Sequence, residues 1–477
     1  MLTREAIAEA LPHTLTGVPT LPGLGAARSG KVRDAFQLPG QRMLLVTSDR
    51  VSAFDRVLGT IPYKGQVLNQ LAAWWFERTR HILPNHLIAV PDPNASVVRQ
   101  ARPLPVEIVV RGFLTGVTST SLWTLYSQGV ERPYGLDLPP GMKKNDRLPT
   151  AVITPTTKAE AGHHDKPLTS ADVVAEGHVS EAIWKKATAA ALALFAEGQA
   201  VAERAGLLLV DTKYELGLVD GPDGEELVLI DEVHTPDSSR YWLKSAWEAG
   251  KAVPMDKELL RVALAADGYK GDGPPPPLSD ALRTDLAYAY TELFEKLTQT
   301  AFVPGAQPAG ERLVRHVSTP IVPILMGSKS DLEQGRAVEK MLSQFGLRGE
   351  IRVASAHKTP AALLDILAAY EADPRPKVYV AIAGRSNALS GMLCAAVTAP
   401  VVSVPPYSDR FGGADVFSSL RMPSGVAPAL VLDPDNAALF CAKVLGLGLP
   451  AVREAVEHLH ASHRDKLAKD DEELRAR

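Results

Sequence analysis

The chain has 477 residues, 45% of them hydrophobic and 22% charged. That is too long for one ordinary core and too apolar for a disordered chain, so two or three folded domains are expected. A formal net charge of -4 gives no general attraction to nucleic acid or anionic membrane. Two cysteines, Cys394 and Cys441, are too few for a disulfide framework. With no signal-like N-terminus and no run of about 18 apolar residues, the expected location is cytoplasmic.

In chain order, Gly30-Lys31-Val32-Arg33-Asp34 sets two cations beside a flexible glycine. Residues 43–47, 106–110, 207–210 and 227–230 read as strands, and 180–205 as an Ala- and Leu-rich helix stopped by Gly206. Two strand-like runs are followed by charged and small residues, at Ser48 to Asp55 and at Arg111-Gly112-Phe113-Leu114-Thr115-Gly116, which is unusual for pure scaffolding. Thr154-Pro155-Thr156-Thr157-Lys158 leads into His163-His164-Asp165, a polar loop whose histidine pair lacks the further ligands of a zinc site.

Asp211-Thr212-Lys213-Tyr214-Glu215 follows an apolar run, so strand alternation points Asp211, Lys213 and Glu215 to one face. Asp231-Glu232 ends the next strand across a hairpin-like Gly221-Pro222-Asp223-Gly224. An exposed sheet face could carry this pattern, but two carboxylates with a lysine between them also suit Mg-nucleotide. Thr235 to Arg240 adds hydroxyls and a guanidinium for an anion. Strands and helices do not alternate strictly here, which predicts an α+β domain.

Pro274 to Pro277 resembles a linker, yet 280–300 is an amphipathic helix with Leu282, Leu286, Tyr290, Leu293 and Leu297 in register. One helix is not a domain, so it should pack back on the first half. The expected division is therefore 1–303, a linker at 304–318, and 319–477.

In the second half, strands at 321–326, 350–355, 377–383, 400–404 and 429–432 alternate with helices at 331–345, 360–372, 388–396 and 436–445. A charged helix, 451–477, closes the chain. Such alternation predicts a three-layer α/β sandwich on a parallel sheet, with ligands at the carboxyl ends of strands. Those ends carry Gly327-Ser328-Lys329-Ser330-Asp331, Ser355-Ala356-His357-Lys358 and Gly384-Arg385-Ser386-Asn387. The first suits a phosphate, or equally an ordinary helix cap by Ser330 or Asp331. With neither a glycine-rich nucleotide fingerprint nor a metal ligand set here, the chemistry indicated is proton transfer by His357 on a small phosphorylated substrate.

GSKSD, SAHKTP, GRSNALSG and the run from Pro405 to Gly425 resemble aminoimidazole ribonucleotide (AIR) carboxylases. The ATP-coupled mutase class of that family typically has arginine after the histidine and a loop ending His-Leu-Pro-Gly-Met. Lys358 and GRSNALSG instead resemble the class, including the animal enzyme, that uses CO2 directly. The resemblance implies a flavodoxin-like fold, no cofactor and a homo-octamer. It implies AIR binding by Gly327, Ser328, Ser330, Asp331, Ser355, His357, Lys358, Arg385, Ser386 and Asn387, with His357 moving the proton.

GKVRD, SDRVSAFD, TPTTK, DTKYELG and DEVHTPDSSRYW resemble SAICAR synthetases, ATP-dependent ligases that join L-aspartate to carboxyaminoimidazole ribonucleotide (CAIR). The resemblance implies an ATP-grasp-like domain with ATP at Gly30, Lys31, Arg33, Lys158 and Asp211, and Mg2+ at Glu215 and Asp231. It implies Lys213 as the catalytic cation, and CAIR and aspartate at Asp55, Arg111, Ser119, Asp165, Ser238 and Arg240. One departure is Val117, where many members carry serine; Thr118 or Ser119 could supply that hydroxyl. A carboxylase that makes CAIR fused to a ligase that consumes it implies successive steps of purine synthesis. The alternatives are a mutase as second domain, or one domain serving only assembly.

Overall fold

The computed structural model describes residues 2–54, 56–117, 120–158, 166–221, 224–269, 273–409 and 412–476. The chain divides into two compact units. The first comprises Met1–Pro19 and Ala26–Arg312, the second Thr20–Gly25 with Leu313–Arg477.

The first unit is built on two antiparallel sheets. One orders Arg28–Ser29, Arg33–Leu38, Arg42–Thr47, Ala95–Arg99 and Leu87–Asp92 side by side. The other is organised by a 15-residue strand, Leu207–Gly221, much longer than the expected 207–210. It pairs with Val106–Phe113, Gly224–Ile230, Ser239–Leu243 and the short Arg102–Pro103. The apolar run alone suggested four residues, but the polar continuation stays extended because its neighbours satisfy its backbone.

A register irregularity between Leu209 and Asp211 shifts the phase of the alternation. Leu207 and Leu209 enter the main core on one side of it, and Tyr214, Leu216 and Leu218 on the other. Asp211, Lys213 and Glu215 therefore share the opposite face.

Helices Glu181–Arg204 and Asp280–Thr298 supply the core from the other side, through residues such as Leu194, Phe195, Tyr290 and Leu293. The helix after the prolines thus belongs to the first unit. A third helix, Lys64–Thr79, carries no pattern singled out from sequence. Gly65 near its start is obligatory, since a Cβ there would lie 2.3 Å from the Thr47 carbonyl oxygen.

The division between the units falls within 304–318, where a linker was expected, and the segment is not all loop. It carries helix Ala309–Val317, whose Arg312 is 3% exposed and donates from Nε to Asp92 at 2.9 Å. Arg312 also reaches Asn94 Oδ1 at 2.6 Å. A buried, doubly satisfied guanidinium fixes its segment, because losing one partner of such a pair typically costs about 3–5 kcal/mol.

The second unit holds five parallel strands in the order Arg348–Val353, Ile321–Met326, Tyr379–Ile382, Val401–Ser403, Ala429–Leu430. Alternate side chains divide its two cores. Val322, Ile324, Val380 and Ile382 meet helices Leu332–Ser343 and Pro434–Gly446. Ile321, Leu325, Tyr379 and Ala381 meet Pro360–Ala372 and Ala388–Ala396. In chain order the strands read 2-1-3-4-5, so the order reverses between Ile321–Met326 and Tyr379–Ile382. The closing helix, Pro450–Arg475, buries only Val452 and Val456. Among the described residues no helix is long and apolar enough to cross a membrane.

Candidate active sites

On the polar face of the Leu207–Gly221 strand, Lys213 Nζ lies 2.6 Å from Glu107 and 2.7 Å from Glu215. Lys158 takes the other oxygen of Glu215. Burial pushes the Glu215 carboxyl up, but Lys213 and Lys158 outweigh it and hold it at about 2. Burial also lowers Lys213, and is outweighed by Glu215 and Glu107, so the ammonium keeps its proton.

Just past the hairpin strand, Asp231 sits in the left-handed region (φ 63°) and pairs with Arg33, which also meets Glu232 at 3.2 Å. Burial pushes Asp231 up to about 6; Arg33 opposes this, while Glu215 and Glu232 add to it. The strand register sets Glu215 opposite Ile230, next to Asp231. Two mutually repelling carboxylates fit a divalent cation, which would relieve their repulsion. No cluster of three His, Cys, Asp or Glu side chains suited to a metal occurs among the described residues, so such a cation would need phosphate or water oxygens as well.

Gly30 donates to the Arg33 carbonyl at 2.8 Å, closing a turn that leaves Lys31 exposed. A Cβ at Gly30 would lie 2.8 Å from that oxygen. Asp211, grouped by resemblance with the ATP residues, instead receives Arg111 at 3.1 Å and Arg240 at 3.2 Å. Its placement is thus with the residues assigned to the ribonucleotide. Ser238 Oγ accepts from the Thr235 amide at 3.2 Å, within the turn leading to Arg240. Asp55, Ser119, Asp165 and the His163–His164 pair lie outside the described residues.

The sequence reading passed over several members of this network. Glu107 supplies one of its carboxylates, and Glu232, noted only as Asp231's neighbour, supplies another. Behind the Thr235–Arg240 turn, Asp237 receives Lys64 at 2.8 Å, Lys257 at 3.4 Å and the Tyr290 hydroxyl at 2.8 Å. Glu107 had a signal, since alternation in Val106 to Arg111 puts it on the Arg111 side of the strand. Lys64 had none.

In the second unit, three neighbouring strands deliver their loops to one sheet edge. Met326 is in register with Val353 on one side and Ile382 on the other. Gly327 occupies the point where the strand order reverses, and a Cβ there would lie 3.5 Å from Ala383. Ser328 caps the short 3-10 turn Lys329–Asp331, accepting from the Ser330 amide at 3.2 Å, while Asp331 occupies the N-cap position of Leu332–Ser343 without a side-chain cap hydrogen bond. Ser330 and the half-buried Asp331 stay at the edge. Ser355 Oγ accepts from the Lys358 amide at 3.3 Å, and His357 and Lys358 are exposed.

Arg385 takes φ 60°, costly for a non-glycine residue, and its amide donates to Asp415 at 3.1 Å. Ser386 is exposed. Asn387 is 4% exposed and spends its side chain internally: its amide nitrogen donates to Ser403 and Ser419, and its oxygen accepts from the Ser390 amide at 3.1 Å. These bonds shape the junction between Gly384 and Ser390.

Residues 26–276 match the family model for SAICAR synthetase, more than half of the chain. The chain belongs to the SAICAR synthetase family. A phosphoribosylaminoimidazole-succinocarboxamide synthase of Legionella pneumophila is 46% identical over 319 residues, covering 64% of this chain and 98% of the relative. The solved SAICAR-synthase of Saccharomyces cerevisiae, complexed with SAICAR, is 27% identical and covers 61% of this chain and 100% of that one, with TM-score 0.53. Residues 321–466 match the family model for AIR carboxylase. Treponema denticola PurE is 46% identical over 32% of this chain and 98% of its own, with TM-score 0.32. The polypeptide is a bifunctional enzyme of purine biosynthesis, with a synthetase (ligase) domain and a carboxylase (lyase) domain.

Proposed function

We propose that the carboxylase domain adds CO2 itself to AIR, and that the synthetase domain ligates the resulting CAIR to L-aspartate with Mg-ATP. The observation that carries the carboxylase reading is the exposed His357 beside Lys358, on an edge shared with the loops after Met326 and Ile382. AIR's electron-rich ring carbon attacks CO2, leaving a carbon that bears both hydrogen and carboxylate. His357 removes that proton and restores the aromatic ring, a contribution of roughly two to four orders of magnitude in rate. Ser330 and Lys358 hold the phosphate and Asp331 the ribose, while Gly327, Ser328, Ser355, Arg385 and Ser386 line the cleft. Lys358 and the GRSNALSG loop favour CO2 over the mutase reaction.

In the synthetase domain, which we read as ATP-grasp-like, the Gly30 turn, Lys31, Arg33 and Lys158 hold the ATP phosphates. Glu215 and Asp231 would hold Mg2+, which would screen phosphate charge. The CAIR carboxylate attacks the γ-phosphorus and ADP leaves, with Lys213 stabilising the charge that develops. The aspartate amine attacks the acyl phosphate carbon, phosphate departs and the amine loses a proton. Arg111, Arg240 and Ser238, with Asp55, Ser119 and Asp165, orient the ribonucleotide and aspartate; Asp211 orients the two arginines.

We further infer a cytoplasmic homo-octamer formed through the carboxylase domain. The exposed Tyr407, Phe417 and Leu420 and the free thiols of Cys394 and Cys441 support this. Sedimentation as a monomer would remove the octamer. Incubating the chain with AIR and bicarbonate without ATP tests the carbon source. CAIR should form; CAIR appearing only from an N-carboxylated AIR would assign the mutase reaction instead.

A further inference from the structure

L-Aspartate brings two carboxylates to the synthetase domain, and cations not already neutralised must receive them. Around Lys213 there are none to spare: Lys158, Lys213 and Arg33 face Glu107, Glu215, Asp231 and Glu232. That side is acidic and suits Mg-ATP. Near the Thr235–Arg240 turn the balance reverses at two places. Asp211 is shared by Arg111 and Arg240, and Asp237 by Lys64 and Lys257.

The two lysines on Asp237 are not equivalent. Lys64 is 0% exposed and pairs at 2.8 Å, so it cannot reach a substrate. Lys257 stands further off, at 3.4 Å from Asp237 and 3.5 Å from Ser52 Oγ, and its side chain keeps 14% exposure. Tyr290 takes the remaining oxygen of Asp237 at 2.8 Å. Lys257 is therefore the more exposed of two ammoniums that share one carboxylate, and it stands beside a hydroxyl. Its backbone amide donates to Pro236 at 3.2 Å, which holds it against the turn carrying Ser238 and Arg240.

We propose that Lys257 Nζ and Ser52 Oγ, beside Asp237, form the seat for a carboxylate of L-aspartate. The paired guanidinium groups of Arg111 and Arg240 suit the phosphate of the ribonucleotide, because planar forks engage phosphate bidentately. A single ammonium with one hydroxyl matches a carboxylate. The inference rests on the proposed ligation and adds its second subsite.

Steady-state ligation by the full chain tests it, with Lys257→Met and Ser52→Ala. The KM for L-aspartate should rise about ten- to a hundredfold in Lys257→Met, the loss expected for a hydrogen bond to a charged group. The KM values for CAIR and ATP should stay within about twofold. Hydroxylamine, a nucleophile without a carboxylate, should still discharge the acyl phosphate and release ADP at the wild-type rate. A rise in the KM for CAIR with that for aspartate unchanged would move Lys257 to the ribonucleotide. Loss of hydroxylamine-dependent ADP release would make its role structural, and unchanged constants would remove it from binding. If Lys257→Met does not fold, Lys257→Arg and Ser52→Ala decide alone: an unchanged KM for aspartate in both overturns the proposal. Failure of the wild-type chain to make SAICAR would instead defeat the underlying ligation.

Discussion

Tyr214 and His234 meet behind the Lys213 face, the phenol oxygen 2.5 Å from Nε2. Tyr214 lies between Lys213 and Glu215 in sequence but points into the core, while His234 sits between Asp231 and the Thr235–Arg240 turn. The contact therefore ties the strand bearing Lys213 to the segment bearing Asp231. Burial pushes His234 down to about 3, so the ring is neutral at physiological pH. Tyr214→Phe leaves Nε2 without its partner and should cost about 1–3 kcal/mol. Thermal unfolding should show a lowered Tm for the synthetase domain, with slower ligation and unchanged carboxylation.

Gly198 faces the same histidine from helix Glu181–Arg204. A Cβ there would lie 2.4 Å from His234 Cε1 and 2.6 Å from Leu209 Cδ2. Alanine normally favours a helix interior over glycine by about 1 kcal/mol. Here the clash involves a rigid buried ring, and overpacking typically costs about 1–3 kcal/mol. Gly198→Ala should thus lower the Tm, and a raised Tm would contradict the packing described.

The parallel-sheet domain was legible in sequence because each buried strand is a short apolar run and each helix is periodic; helices 360–372 and 388–396 end where periodicity placed them. The Leu207–Gly221 strand was legible only in part: alternation carried it through Glu215, but its continuation to Gly221 rests on partners distant in sequence. The division between the units falls within 304–318, where a linker was expected, but the helix inside that segment was not legible. The segment's prolines and glycines read as a loop, whereas Arg312 finds Asp92 220 residues away. Lys213, Glu215 and Asp231 stood out through alternation and a hairpin signal. Lys64 and Asp237 did not, since only tertiary packing brings them together. Asn387 stood in a recognisable block, but nothing in the block reveals that its amide turns inward.

Lys213 is placed to act on developing charge, so removing it should affect turnover more than binding. Lys213→Ala should lower kcat for ligation by about two to three orders of magnitude, the usual cost of losing one preorganised electrostatic group. Carboxylation should be unaffected. Glu215→Gln should raise the Mg2+ concentration needed for half-maximal ligation; an unchanged magnesium titration would remove Glu215 as a ligand.

Asp256 sets a pH dependence. Its carboxylate accepts from the amides of Tyr241 and Glu258, both at 2.7 Å, yet burial pushes it up to about 7. An unfolded aspartate titrates near about 3.9. Between these values the folded chain holds a proton that the unfolded chain has lost. The stabilisation is complete below the unfolded value and is lost as pH rises through about 7. All six tryptophans precede residue 312, so their fluorescence in denaturant reports on the first unit. The stability difference between wild type and Asp256→Asn should favour wild type more at pH 5 than at pH 7.5, by at least about 1 kcal/mol. A stability difference that stays the same at both pH values would mean that Asp256 is ionised throughout.

The most direct test is product analysis of the full chain given AIR, bicarbonate, L-aspartate and Mg-ATP. Wild type should yield SAICAR, Lys213→Ala should stop at CAIR, and His357→Ala should make SAICAR only when CAIR is supplied. SAICAR formed from AIR by the His357 variant, or no CAIR made by the Lys213 variant, would contradict the division of labour between the two domains.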